Sequence, residues 1–385
     1  MPGRVCNNFL MSPNCLFVLQ RILLVALVLV GSPFLLSGCG GGGGTAVIPT
    51  PVVPSPSIAA TAQIGGAQLI SIANTVAGAT VYYTLDGSTP NANSLQYLAP
   101  FLITQSTTVN AITVSAATQS SVSTQSYTMN IPSGTLVWSE DFTNTTNANI
   151  QPDPAIWTYD AGATGYGNQE LEDYCAWGSN IPPCTTANPN VYVGTDSALH
   201  IVALQPGASG TYTSARIRSQ GLLSLPYGRI EARMMLPEGQ GLWPAFWLLG
   251  NNYATVGWPA CGELDVMEHV NAPVPDLILG SVHGSHYDGS QPYTVPGYSA
   301  AGWHIYGMIW SKGSVQYYVD SPSNIYATFT PAMAASQGGS WPFDSGYPSF
   351  MILNLAVGGT FPGSPDGSTP FPSQMIVDYV RLYTN

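Results

Sequence analysis

The sequence predicts an all-β chain of two packed β-sandwiches, one small and one large, and three features of its 385 residues predict it. Gly (41) and Pro (32) are abundant while only 7% of residues are charged, so turns are frequent and the charged faces of surface helices are missing. Short alternating runs such as Thr80-Val81-Tyr82-Tyr83-Thr84 recur, bounded by turn residues. The stretch SFMILNLAVGG (349–359) is nearly continuously apolar, as a strand buried between two sheets would be. No segment reads as a long amphipathic helix. The length accommodates two domains, one with a sizeable core.

The N-terminus reads as an address. Arg21 precedes an apolar stretch from Ile22 to Leu36, too short to span a bilayer, which ends in Leu36-Ser37-Gly38-Cys39. A basic residue, an apolar run and small residues at its end make residues 1–38 a secretory signal. Leu-Ser-Gly-Cys resembles the bacterial lipobox, which implies lipidation of Cys39 and an extracytoplasmic protein anchored at the cell surface or outer membrane. Residues 39–57, with Gly40–Gly44 followed by Pro and Ser, read as a tether.

Residues 58–130 carry no Lys, Arg or Trp and a single acid, Asp86. Thr80–Thr84 and Thr108–Ile112 alternate as strands, with Asp86-Gly87 as a turn between them. VYYTLDGSTP (81–90), LAPFLITQSTTVNAITV (98–114) and YTM (127–129) resemble the immunoglobulin-like domain at the C-terminus of chitobiases. The resemblance implies a fold and not a function. With no Trp to offer a sugar ring, the block is expected to be a spacer rather than a carbohydrate binder.

Residues 135–385 hold all nine Trp and 19 of the 20 acids. The chemistry concentrates in CGELDVMEHV (261–270). Glu263 and Asp265 share one face of a strand while Leu264 and Val266 point into the core. Glu268 is an odd number of residues from Glu263, so a regular strand would turn it to the opposite face. A β-bulge around Val266-Met267 restores it, and is predicted here. Three crowded carboxylates cannot all stay ionised. Glycoside hydrolysis needs such a split, one carboxylate to attack the anomeric carbon and one acid to protonate the leaving oxygen. Retention requires the pair about 5–5.5 Å apart, so the sheet must curve. A solvated acidic strand face or a cation site is the competing reading.

YGRIEARMMLPEGQGLWPAFWLLG (227–250), GWPACGELDVMEHV (257–270), SVHG (281–284), LNLAVGG (353–359) and MIVDYVRLY (375–383) occur in order. Together they resemble glycoside hydrolase family 16, and within it the laminarinase-like β-1,3-glucanases. The resemblance implies a curved β-jelly-roll with a cleft on its concave sheet. It implies Glu263 as nucleophile, Glu268 as general acid then base, and Asp265 between them. The extra residue before the last Glu is typical of the laminarinase branch and of several enzymes acting on algal polysaccharides. Trp243, Trp247 and Trp258 match positions near the cleft, with core packing as the alternative. GYGNQELEDY (165–174) resembles the substrate loop, which implies that Asn168 bonds sugar hydroxyls. His283 matches a His near the leaving group. A zinc site of His283 and His286, with or without His269, and Glu268 is the rival assignment. Glu140 and Asp378 match a structural calcium site, with an ordinary polar surface as the alternative; no cofactor is expected in catalysis.

Cys175 and Cys184 sit in one loop-like segment and can close a small disulfide loop in an oxidising compartment, leaving Cys261 as a buried thiol on an apolar strand. Beyond the leader, six basic side chains face 20 acidic ones, a formal charge of −14. That balance excludes nucleic acid as a partner and disfavours a densely sulfated or uronic polymer. A neutral β-glucan is the expected substrate and a monomer the expected state. A glucan-binding protein on the same fold, a transglycosylase, and an enzyme acting on agarose or mixed-linkage glucan are the alternatives.

Overall fold

A computed structural model describes residues 52–116, 118–207, 210–270, 277–294, 299 and 302–385. The leader, the lipobox with Cys39, and the tether up to Pro51 lie outside the described residues.

Residues 57–127 form the expected small sandwich. Ser57–Ala62, Gln68–Ala73 and Phe101–Ile103 make one sheet. Thr80–Thr84 and Thr107–Ser115 lead the other. Inward residues of both sheets, among them Ile70, Val81, Tyr83, Phe101 and Val109, form its core. The Asp86-Gly87 turn is closed by the Asp86 carboxylate, which accepts the Ser88 N–H at 3.0 Å, and Gly87 takes the left-handed backbone that the turn needs, with φ 82°.

The large sandwich stacks two antiparallel sheets. Its cleft-bearing sheet runs in the order Thr158–Asp160, Arg216–Arg218, Ser349–Val357, Leu242–Gly250, Glu263–Val270, Leu277–Gly284, Tyr287–Tyr293. The opposing sheet centres on Ser373–Tyr383, Gly228–Met235 and His304–Ser311. The crossovers between them give a jelly-roll. Ser349–Val357 is buried at every position, because one face meets the core and the other lies under the cleft and its covering loops. Between the sheets lies one continuous apolar core that includes Leu264, Val266, Met267, Leu353 and Val377. The described helices are short, Tyr253–Val256 and Pro331–Ser336 being the α-helical ones.

The small sandwich is docked on the large one. Ala67 and Leu102 are fully buried and belong to the core of the large sandwich. A Cβ on Gly65 would lie 2.3 Å from the carbonyl oxygen of Leu136, so only glycine fits that approach. The alternating pattern of the module reported its own core but carried no signal of this shared contact.

Candidate active site

The strand Glu263–Val270 carries the predicted bulge. Against Leu242–Gly250, Phe246 pairs with Met267 and Trp247 with Asp265, so Val266 is the unpaired extra residue. The same irregularity separates Asp265 from Glu268 in the pairing with Leu277–Gly284. Glu263, Asp265 and Glu268 therefore all face the cleft, while Leu264, Val266 and Met267 are buried in the core. The cleft has a volume of about 780 Å³ and crosses the outer face of its sheet.

His283 organises the acids. Its Nε2 lies 3.2 Å from Asp265 and 4.0 Å from Glu263, and its Nδ1 lies 2.7 Å from Asp288. Burial works against its charge but is outweighed by the hydrogen bond to Asp265 and the charges of Asp265 and Glu263, so the imidazole is pushed up to about 10 and is a cation at neutral pH. Glu268 accepts the Trp243 indole N–H at 3.1 Å and the Ser281 hydroxyl at 3.3 Å. Burial, and then the charge of Asp265, push its carboxyl up to about 8 against those hydrogen bonds and the His283 charge. Burial, then Asp265, also raise Glu263, opposed first by His283. In this coupled pair the negative charge belongs on Glu263, which has the imidazolium at 4.0 Å, and the proton on Glu268, which has no ion-pair partner among the described residues. One ionised and one protonated carboxyl on a common face is the distribution a retaining glycosidase needs.

The three tryptophans all line the cleft. Trp243 meets Phe361 edge-on at 5.2 Å. Trp258 is 56% exposed, the profile of an unoccupied platform rather than a core residue. Trp247 is more committed. Its indole N–H donates to Asn354 at 2.8 Å, and the Arg216 guanidinium lies 4.7 Å over its ring, occupying one face. Asn168 lines the cleft beside Glu170 and Tyr166. Its loop is fixed where the Thr360 N–H donates to its carbonyl at 2.7 Å.

Sequence reasoning missed Arg216, Glu170, Tyr253, Asn354 and Phe361, which line the same cleft. Arg216 had a signal, since it is one of only six basic residues beyond the leader. It pairs with Asp160 at 2.9 Å. Asn354 donates to the Tyr174 hydroxyl at 3.3 Å, which in turn donates to Glu170 at 2.8 Å. Only the fold brings residues so far apart in sequence into one network.

Three expectations change. Cys261 is buried and unpaired as expected, but it sits in the turn before the strand, not on it. Burial, then Glu263, push its thiol up to about 11, so it is unreactive. The rival zinc set is not assembled: His283 gathers with Glu263 and Asp265 and not with His286 and Glu268, and His269 is turned into the core with its Nδ1 3.1 Å from the Leu277 carbonyl oxygen. Among the described residues the group able to hold a metal is Glu263, Asp265 and His283, whose carboxylate–imidazolium pairing already satisfies its charges. Glu140 and Asp378 do not fit a calcium cage of free carboxylates. Arg233 holds Asp378 at 2.7 Å, while Glu140 accepts the Phe142 N–H at 2.9 Å. The Cys175–Cys184 disulfide is formed.

A jelly-roll whose cleft sets an ionised and a protonated carboxyl among aromatic side chains defines a glycosidase acting on a polymer. The description "Glycosyl hydrolases family 16" matches residues 182–381, more than half of the chain, and "Chitobiase/beta-hexosaminidase C-terminal domain" matches residues 60–126. The chain belongs to glycosyl hydrolase family 16. A beta-glucanase of Rhodothermus marinus is 36% identical over 266 residues, which cover 66% of this chain and 86% of that protein. Glucan endo-1,3-beta-glucosidase A1 of Niallia circulans is 35% identical over 277 residues, covering 64% of this chain and 37% of that protein. The solved laminarinase catalytic domain of Thermotoga maritima MSB8 superimposes with a TM-score of 0.56 at 35% identity, over 66% of this chain and 99% of that one.

Proposed function

We propose that the protein hydrolyses internal β-1,3-glucosidic bonds of laminarin-like glucans by double displacement. The reading is carried by the bulged strand, which puts Glu263 and Glu268 on one cleft face with His283 beside Glu263. A Glu263 carboxylate oxygen attacks the anomeric carbon and the C–O bond to the leaving chain breaks. Glu268 gives its proton to the departing oxygen. The resulting glycosyl–enzyme ester is opened by water, whose proton returns to Glu268, and Glu263 is released as carboxylate. Each face is used once, so configuration is retained. The His283 imidazolium, itself held by Asp265, favours the charge of Glu263. All groups for these steps come from the chain.

The glucan endo-1,3-beta-glucosidases of Niallia circulans and Cryptopygus antarcticus are named for β-1,3-glucan, and the scarcity of basic residues favours an uncharged polymer. A binding protein on this fold is disfavoured by the complete acid set. We read the protein as a monomer and, on Leu36-Ser37-Gly38-Cys39, as lipid-anchored outside the cytoplasm; Cys39→Ser is expected to move it from membrane to soluble fractions, and an unchanged distribution refutes the anchor. The function is tested by reducing-end release from laminarin, lichenan, agarose and carrageenan by residues 52–385. Release from laminarin is expected. Release from agarose alone keeps the chemistry and overturns the substrate, and glucan binding without release favours the binding protein.

A further inference from the structure

The far side of the cleft wall is tied to the small N-terminal sandwich by hydrogen bonds joined through two peptide links. The Ser224 N–H donates to the Pro100 carbonyl at 2.9 Å, and the Leu102 N–H to the Ser224 carbonyl at 3.4 Å. The next residue, Leu225, exchanges both backbone bonds with Ser349, at 2.8 and 2.9 Å. The adjoining Pro348 carbonyl accepts the Asn251 N–H at 2.9 Å. A second tie runs beside it, from the Gln96 N–H to the Tyr347 hydroxyl at 3.1 Å. Asn251 opens the segment 251–262, which carries the helix Tyr253–Val256 and Trp258 and closes where the Gly250 N–H meets the Gly262 carbonyl at 3.0 Å.

That segment has little to hold it by itself. Its helix is four residues long and buries none of them, far below the length at which a helix persists alone. Yet it presents Tyr253 and Trp258, 40% and 56% exposed, to the cleft beside Glu263. It is held at its ends by Cys261 packed on Leu249, Phe350 and Ile352 and by Asn251 on the route to the small sandwich, and between them by the Thr255 hydroxyl, 3.5 Å from Gln96 of that sandwich, and by Trp258, which hydrogen-bonds Glu263. Leu102 anchors the other end of that route by burial in the large core.

We infer that the N-terminal sandwich is a positioning element of the active site: through Leu102, Ser224, Ser349 and Asn251 it holds the segment 251–262, and thus the Tyr253–Trp258 platform, in its glucan-binding position. The inference rests on the glucanase reading above for its substrate. A platform fixed before binding spares the ordering cost that a loose segment would charge to affinity. The small sandwich therefore strengthens glucan binding without touching sugar. Leu102 is a positioning residue, and the effect falls on KM rather than on the chemical step.

The test uses residues 52–385 with Leu102→Ala, Leu102→Met and Val377→Ala, the last a buried core residue of the opposing sheet and off the route. All are assayed well below their melting temperatures. Leu102→Ala is expected to raise KM for laminarin about three- to tenfold with kcat within about twofold, and Leu102→Met to restore it. Val377→Ala is expected to lower the melting temperature and leave KM unchanged. In parallel, amide exchange in 251–262 should quicken in Leu102→Ala while that in 353–357 does not. Unchanged exchange in 251–262, or an equal rise of KM in Val377→Ala, overturns the inference. The exchange measurement needs no substrate, so wild type inactive on laminarin sinks the substrate reading and leaves this arm to decide the positioning role.

Discussion

Glu263→Ala is expected to leave a folded protein that binds laminarin and hydrolyses it at least on the order of 10⁴-fold more slowly, because the attacking group is gone while the platform residues remain. Stability should not suffer. Burial and Asp265 raise the wild-type carboxyl, so an uncharged side chain removes a desolvated, crowded group. The space left by the carboxylate admits a small anion such as azide. With an activated aryl β-glucoside donor, azide attacks from the emptied side and the product carries inverted, α configuration. Glu268→Ala under the same conditions still forms the ester, and azide then opens it to the retained, β product. Opposite configurations from the two variants assign the two roles. A β product from Glu263→Ala would exchange them.

The second large effect is in pH. Glu268 donates a proton, and burial followed by the charge of Asp265 places its carboxyl at about 8, so kcat/KM should fall as pH rises through about 8. His283 titrates near 10, too high to set that limb. Glu268→Gln should lose the limb along with about 10²- to 10⁴-fold in rate on glucan, and much less on a substrate with a good leaving group that needs no proton. Stability follows the same groups with a fixed sign. The native Glu268 pKa lies above its unfolded value of 4.5, so the native state holds the extra proton and stability falls as pH rises from about 4.5 to 8. The His283 contribution has the usual sign for a base, fully present below 6.5 and lost as pH rises through about 10. Melting curves at pH 5 and pH 8 should therefore converge in Glu268→Gln relative to wild type. An alkaline limb that persists in Glu268→Gln would place the acid elsewhere.

The parts of this site that were legible in the sequence are those set by local periodicity. The two-residue alternation of a strand put Glu263 and Asp265 together, and the odd spacing to Glu268 forced a bulge, found with Val266 as the extra residue. The nearly continuous apolar run 349–357 declared a strand covered on both faces. What local pattern cannot report is contact between distant segments. Arg216 over Trp247, and the Tyr174–Asn354 bond across 180 residues, arise from sheet order alone. The same limit explains Glu140 and Asp378. Their acidity was visible, but the Arg233 side chain that takes Asp378 lies 145 positions away. It also explains the docking of the small sandwich, whose contact residues, Ala67 and Leu102, look like any other core positions.

Covalent double displacement on a β-1,3-glucan is recorded in the configuration of the first-formed product. Proton NMR of a laminarin digest with residues 52–385, recorded before mutarotation, is expected to show β-anomeric reducing ends first and α only later. Reducing ends appearing first as α would mean a single displacement, and would contradict the assignment of Glu263 as nucleophile and Glu268 as acid.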